Sequence, residues 1–204
     1  FRSPVTGSPI SGGFGVHDLV FAGQFFVPPP AGAAAPARPF DQLAVFGALS
    51  QSTYRWLIDR NSDGVVNPGE GDIFTLQPRF VGSFDTASAI PVAGDFDNDA
   101  TNGDEIGLYN AGRWALDTNR NFIIDAGDTF INSNLFGNPI VGDFNGDGLD
   151  DLAVHNSVTH LFSFDLNRNG TIDDTIEWGF PGVLEIPVAA DMNQDGIYDI
   201  GLCV

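Results

Sequence analysis

The sequence predicts an all-β chain of short antiparallel strands grouped in fours, and three observations predict it. Apolar runs of four to six residues rich in Val, Ile and Phe alternate with clusters of Gly, Asn and Asp, the pattern of strands joined by tight turns rather than of helices. A motif recurs every 48 residues: Pro91-Val-Ala-Gly-Asp-Phe-Asp-Asn-Asp returns from Pro139 as Pro-Ile-Val-Gly-Asp-Phe-Asn-Gly-Asp and from Pro187 as Pro-Val-Ala-Ala-Asp-Met-Asn-Gln-Asp. A second motif, Trp114-Ala-Leu-Asp-Thr-Asn-Arg-Asn, recurs from Phe162 at the same spacing, with a third copy 58 residues upstream at Trp56.

Within each period four strands are expected. They lie at Leu43–Phe46, Tyr54–Ile58, Ile73–Leu76 and Pro91–Gly94, then Ile106–Tyr109, Arg113–Leu116, Thr129–Ile131 and Pro139–Gly142, then Leu152–His155, His160–Phe164, Ile176–Trp178 and Pro187–Ala190. Ile200–Val204 would open a fourth copy, and Val20–Phe25 resembles Val92–Phe96 closely enough to close a preceding one. Four strands per period fit a β-propeller-like array of antiparallel blades. Three full copies fall short of the roughly four to eight blades that close a ring, so the end strands pair into a reduced blade, the chain is cut from a longer array, or neighbouring molecules complete the edges. A calcium-bound β-solenoid is the alternative architecture. Residues 1–15, rich in Ser, Gly and Pro, read as a tail or linker, and 16–204 as a single repeat domain. Its Pro/Ala-rich insertion at 27–40 reads as a surface excursion or a partner contact.

Charge narrows the function. With 27 acidic and 8 basic side chains the formal charge is −19, which repels nucleic acid phosphates and anionic membrane surfaces. The 43% hydrophobic content and 18 Phe exclude a disordered acidic tail, so the acids sit in a folded domain. No apolar run is long enough to cross a membrane, and the lone Cys203 permits no internal disulfide framework. Beginning at Phe1, with Met192 its only Met, the chain reads as a processed mature chain or an excised fragment.

The acids concentrate in two alternating families of loops. One comprises Asp95, Asp97, Asp99 and Glu105, then Asp143, Asn145, Asp147 and Asp151, then Asp191, Asn193, Asp195 and Asp199. The other comprises Asp59, Asn61, Asp63, Asn67 and Glu70, then Asp117, Asn119, Asn121, Asp125 and Asp128, then Asp165, Asn167, Asn169 and Asp173. Calcium takes six to eight oxygens, so a loop around one ion turns alternate side chains inward; glycine at position 6 permits the sharp turn and a later acid closes the shell. Asp59 to Glu70 satisfies the whole EF-hand loop pattern, but its flanks favour strands, so the ion geometry is kept and the helices are not. Magnesium, which prefers rigid octahedral sites with retained waters, fits less well. The weakest loops have Phe122 at the glycine position or the Thr101-Asn102 insertion, where Asp104 competes with Glu105 for the closing place. In all, 18 of the 27 acids lie in these loops, and six Ca²⁺ ions would bring −19 to −7.

The order Pro-Val-x-Gly-Asp-Phe-[Asp/Asn]-x-Asp-Gly-x-x-Asp-[Ile/Leu]-[Ala/Gly]-[Val/Leu], with a later Trp-x-x-Asp strand, resembles the FG-GAP/VCBS repeats of bacterial extracellular proteins. More distantly it is similar to the calcium-bearing blades of integrin α-chain propellers. The resemblance covers about residues 43–204. It implies propeller blades with ions in the Asp143-type loops; the low blade count and the second acid-rich loop in each copy depart from the family pattern. The family includes adhesins, lectins and non-catalytic parts of large secreted enzymes.

The expected function is accordingly a calcium-stabilised structural, adhesion or protein-interaction module of a secreted or cell-surface protein, not an enzyme. Its expected partners are proteins or glycans of the cell exterior, with self-association through the end strands, and neither nucleic acid nor membrane insertion. His17, His155 and His160 have no catalytic motif around them, and His155 shares its place in the copies with Phe46, Tyr109 and Cys203, which favours strand packing. The alternatives are a lectin-like propeller, with Trp56, Trp114 and Trp178 as sugar-stacking candidates, and a non-catalytic module of a larger extracellular enzyme.

Overall fold

The computed structural model describes residues 18–25, 41–99 and 102–204; the expected tail at 1–15, the insertion at 27–40 and Thr101 lie outside them. The described chain is all-β. Sheet I runs β1 (Leu19–Gly23), β2 (Gln42–Ala48), β3 (Thr53–Ile58), β4 (Ile73–Pro78), each strand antiparallel to the next. After a small hairpin of β5 (Phe80–Val81) and β6 (Phe84–Asp85), sheet II repeats the order with β7 (Ile90–Gly94), β8 (Glu105–Asn110), β9 (Arg113–Leu116) and β10 (Thr129–Asn132). Sheet III follows with β11 (Asn138–Gly142), β12 (Asp151–Asn156), β13 (Leu161–Asp165) and β14 (Asp174–Glu177). The chain ends in a two-stranded sheet IV of β15 (Ile186–Ala190) and β16 (Asp199–Cys203). No sheet closes on itself.

Each expected strand is present within one or two residues, including the end strands as β1 and β16. The last strand of sheet III begins two residues earlier than Ile176, because Asp174 pairs with Phe164, while Trp178 leaves the sheet and donates its N–H to the His160 carbonyl at 2.8 Å. The β5–β6 hairpin was not anticipated; two-residue strands leave no periodicity, and this one is pinned by the Arg79–Asp85 ion pair at 3.1 Å.

Consecutive sheets meet along their first strands: β7 lies beside β1 and β11, and β11 beside β15. The Gly in the recurring Pro-Val-x-Gly makes this approach possible, since a Cβ on Gly94 would stand 2.6 Å from Val141 Cγ1 and one on Gly142 2.2 Å from the Tyr198 ring. Apolar cores fill the wedges behind these strands. The first joins Phe46, Trp56 and Ile58 to Ile106, Leu108 and Ile124; the second joins Val92, Phe96 and Leu116 to Leu152 and Val154; the third sets Phe162 and Phe164 against the half-buried Ile200 and Leu202. Each complete sheet carries a cross-strand aromatic pair at its heart, Phe46–Trp56 (4.3 Å between ring centroids), Tyr109–Trp114 (4.6 Å) and His155–Phe162 (4.4 Å).

Antiparallel order puts the loops after the first and third strands at one end of every sheet, so all six acid-rich loops share a rim. At the opposite rim the second strand grips the linker to the next sheet. Tyr109 donates its O–H to the Leu135 carbonyl at 3.0 Å and accepts the Gly137 N–H at 3.3 Å. In sheet III buried His155 takes that place, its Nε2 3.6 Å from Glu185 Oε2, and His160 Nδ1 lies 3.0 Å from the same oxygen.

Candidate metal centre in the acid-rich rim

The described residues of the six loops, which differ in sequence, follow one backbone path. Position 4 has positive φ in every one: Ser62 (58°), Asn98 (65°), Arg120 (57°), Gly146 (78°), Arg168 (56°) and Gln194 (65°). Position 6 is left-handed again at Gly64, Phe122, Gly148, Gly170 and Gly196, which accounts for the glycine expected there. Side chains hold this path. The first Asp receives N–H groups from within its own loop, as Asp165 does from Asn169 (3.0 Å) and Gly170 (2.7 Å), and Asp59, Asp117, Asp143 and Asp191 do likewise. Position 3 (Asn61, Asp97, Asn119, Asn145, Asn167, Asn193) accepts the N–H of position 5. Position 5 (Asp63, Asn121, Asp147, Asn169, Asp195) accepts that of position 7. These Asx turns give one physical reason for Asp or Asn at every second place.

A closing acid then accepts the N–H of position 2. Asp151 takes Phe144 N–H (2.9 Å), Asp173 takes Leu166 N–H (2.8 Å), Asp199 takes Met192 N–H (3.1 Å) and Glu105 takes Phe96 N–H (2.9 Å). In the Asp59 loop that acid is Asp72, which receives Arg60 N–H at 2.9 Å and Asn67 N–H at 2.8 Å. Sequence reasoning missed it. Asn67 instead caps a short 3-10 turn through Gly69 N–H at 3.1 Å, and Glu70 is exposed on that turn. Aligning from the following strand would have found it, since Gly71-Asp72-Ile-Phe matches Gly127-Asp128-Thr-Phe. Asp128 indeed reaches back to Asn119 (2.8 Å) and Asp125 N–H (2.7 Å), while Asp125 accepts Gly127 N–H at 2.7 Å.

Among the described residues, one group of acids converges tightly enough to hold a cation: oxygens of Asp95, Asp97 and Glu105 all lie within 4.8 Å of one another. This is one of the two loops that looked weakest, and Asp99 sits beside the group, its N–H donated to Asp95 (3.1 Å) and Asp97 (2.8 Å). Glu105 closes the loop. Asp104 faces the other way and accepts Gln24 N–H at 2.7 Å, just as Asp150 accepts Asp95 N–H at 2.8 Å, so the acid before the closer stitches neighbouring sheets together. Burial pushes Glu105 up to about 8, despite the Arg120 guanidinium 2.9 Å away, and raises Asp95 with help from Asp97. Burial likewise lifts Asp117, Asp150 and Asp151 to about 7 and Asp104 to about 6.

The donor set fits a hard divalent cation. Asp95 is only 8% exposed, and its Oδ2 is buried with no hydrogen-bond partner among the described residues, an arrangement costly for a carboxylate unless a cation meets it. The tryptophans divide differently from the lectin expectation: Trp56 and Trp114 are fully buried core residues, and Trp178 alone of the three is exposed, at 39%. No family model matches the chain, and neither a curated protein nor a solved structure matches it.

Proposed function

We propose that the chain is a calcium-stabilised structural or adhesion module of the cell exterior, a β-propeller-like array of the FG-GAP/VCBS kind that works by protein interaction. The observation that carries this reading is the path shared by the described residues of the six loops, with oxygens at positions 1, 3 and 5 and a closing acid behind them. Four-stranded antiparallel sheets meeting along their first strands support the blade arrangement. Asp95, Asp97 and Glu105 would hold one ion, with the corresponding oxygens of the other loops as further sites. Bound Ca²⁺ would supply fixed positive charge among buried carboxylates; the chain's part is to present those oxygens preformed. Elemental analysis after dialysis against calcium buffer, beside calorimetric melts with and without chelator, tests this. Several equivalents of calcium and a melt lowered by chelator are expected; metal-free protein whose melt ignores chelator refutes it.

A further inference from the structure

We propose that Glu185, gripped between His155 and His160, is a proton-operated clasp joining sheets III and IV, drawn tight when one imidazole carries a proton and slack when both are neutral. The copies show what sets it apart. Phe46, Tyr109 and His155 share one place on the second strand, and Ala89, Gly137 and Glu185 share one place just ahead of the next sheet. Across the first junction those places hold a phenylalanine and an alanine, and across the second a tyrosine hydroxyl that accepts the Gly137 N–H. At the third junction the second strand offers an imidazole and the linker a carboxylate.

Burial makes the charge matter. His155 and Glu185 are both 0% exposed, and the His160 side chain is 23% exposed. Glu185 Oε2 lies 3.0 Å from His160 Nδ1 and 3.6 Å from His155 Nε2, while Oε1 accepts the Phe180 N–H. Neither ring nitrogen of His155 has a hydrogen-bond partner among the described residues. A buried carboxylate without a countercharge is costly, and so is a buried imidazole with both nitrogens idle. One added proton relieves both, because an imidazolium both donates to the carboxylate and neutralises it.

A metal fits this trio less well than a proton. Among the described residues, Asp95, Asp97 and Glu105 form the one group of His, Cys, Asp or Glu side chains whose ligand atoms all lie within 4.8 Å of one another, and the trio is outside it. A shared proton needs only two atoms to meet.

The Phe180 N–H, joined by His160 and His155, holds the Glu185 carboxyl below its ordinary 4.5 in spite of burial. The carboxylate therefore stays charged in mild acid, where imidazoles titrate. Pairing with it stabilises a protonated imidazole in the fold and not in the unfolded chain. The clasp accordingly contributes between the glutamate value of 4.5 and the ordinary histidine value of about 6.5. It weakens as pH rises past the second and is lost as pH falls below the first and Glu185 takes up the proton. The packed strands bring Tyr109 on β8, Asn138 opposite His155 on β11, Glu177 opposite Leu161 on β14 and Cys203 opposite Ile186 on β16. Tyr109 spends its O–H on Leu135 and Gly137, and Glu177 and Cys203 are exposed.

Urea unfolding of the full chain in millimolar calcium, at about pH 5.5 and about pH 8 on either side of the histidine range, tests the clasp against Glu185→Gln. The amide keeps an acceptor for the Phe180 N–H and removes the charge, and the acid-rich rim, unchanged by the substitution, contributes the same pH response to both proteins. The variant should be more easily unfolded than the parent by a factor about tenfold larger at the lower pH than at the higher, the equivalent of one unit of proton linkage. His155→Phe, which carries the residue found at Phe46, should shift in the same sense, and it decides the matter if Glu185→Gln does not fold. An equal cost at both pH values would make the trio a packing strut and overturn the proposal, as would zinc binding by the parent that Glu185→Gln abolishes. Either result leaves the calcium reading untouched, since the clasp lies on the rim opposite the acid-rich loops.

Discussion

Glu105→Gln separates a ligand from a mere loop strut. Both N–H groups that Glu105 accepts, from Phe96 at 2.9 Å and Asp97 at 3.1 Å, end on the same oxygen, Oε2. The amide keeps a carbonyl for that role and loses the charge. Without metal, burial that pushes Glu105 up to about 8 already favours its neutral form near pH 7, so the amide changes little beyond the contact with Arg120 and a change within about 1 kcal/mol is expected. With calcium at about a hundredfold excess over Kd, an occupied site adds about 2.7 kcal/mol, which the variant forfeits if binding is abolished. A domain of this size shifts its Tm by about 2–4 °C per kcal/mol, so the variant should melt about 5–10 °C below the parent in calcium and within a few degrees of it in chelator. Paired differential scanning calorimetry in the two buffers reads this. Equal shifts in both would show that Glu105 only braces the loop, and the metal argument for this site would fail.

Three further outcomes follow from the geometry. Burial raises Asp104, Asp117 and Asp150 above the ordinary 3.8 to between about 6 and 7, so their contribution is fully present below pH 3.8 and lost as pH rises through 6–7; chelated protein should melt higher at pH 5 than at pH 8, and calcium-loaded protein should show the reverse because protons compete for its ligands. Gly142→Ala should cost about 1–3 kcal/mol in urea unfolding, as the new methyl enters the Tyr198 ring. Phe122→Gly relieves a left-handed φ of 56°, but it strips a side chain only 7% exposed from the first core; packing outweighs strain, and a net loss of about 2 kcal/mol or more is expected by the same measurement.

Much of this was legible because the sequence repeats its reasons. Pro near the start of β7, β11 and β15 marks strands that need few N–H donors outward, Gly at the ends of β7 and β11 marks places with no room for a side chain, and alternate Asp and Asn mark turns that bond their own backbone. Asp72 was lost because the Asp59 loop is longer than its relatives, and counting from the loop's first residue shifts the closing place onto Asn67 and Glu70. The division of labour between Asp104 and Glu105 was ambiguous for a different reason: adjacent strand residues point to opposite faces, and only the neighbouring sheet decides which face is the loop. Trp56 and Trp114 looked the same as Trp178 in composition, whereas their pairing with Phe46 and Tyr109 buries them.

Loading every carboxylate turn onto one rim makes the molecule lopsided under stress. If that rim holds cations as proposed, like charges left by chelation would push apart at that side only, while the far side keeps its tyrosine and histidine clasps on the connecting segments. Metal loss should therefore spread the sheets as the ribs of a fan spread from their pin, and returning the ion should fold the fan again.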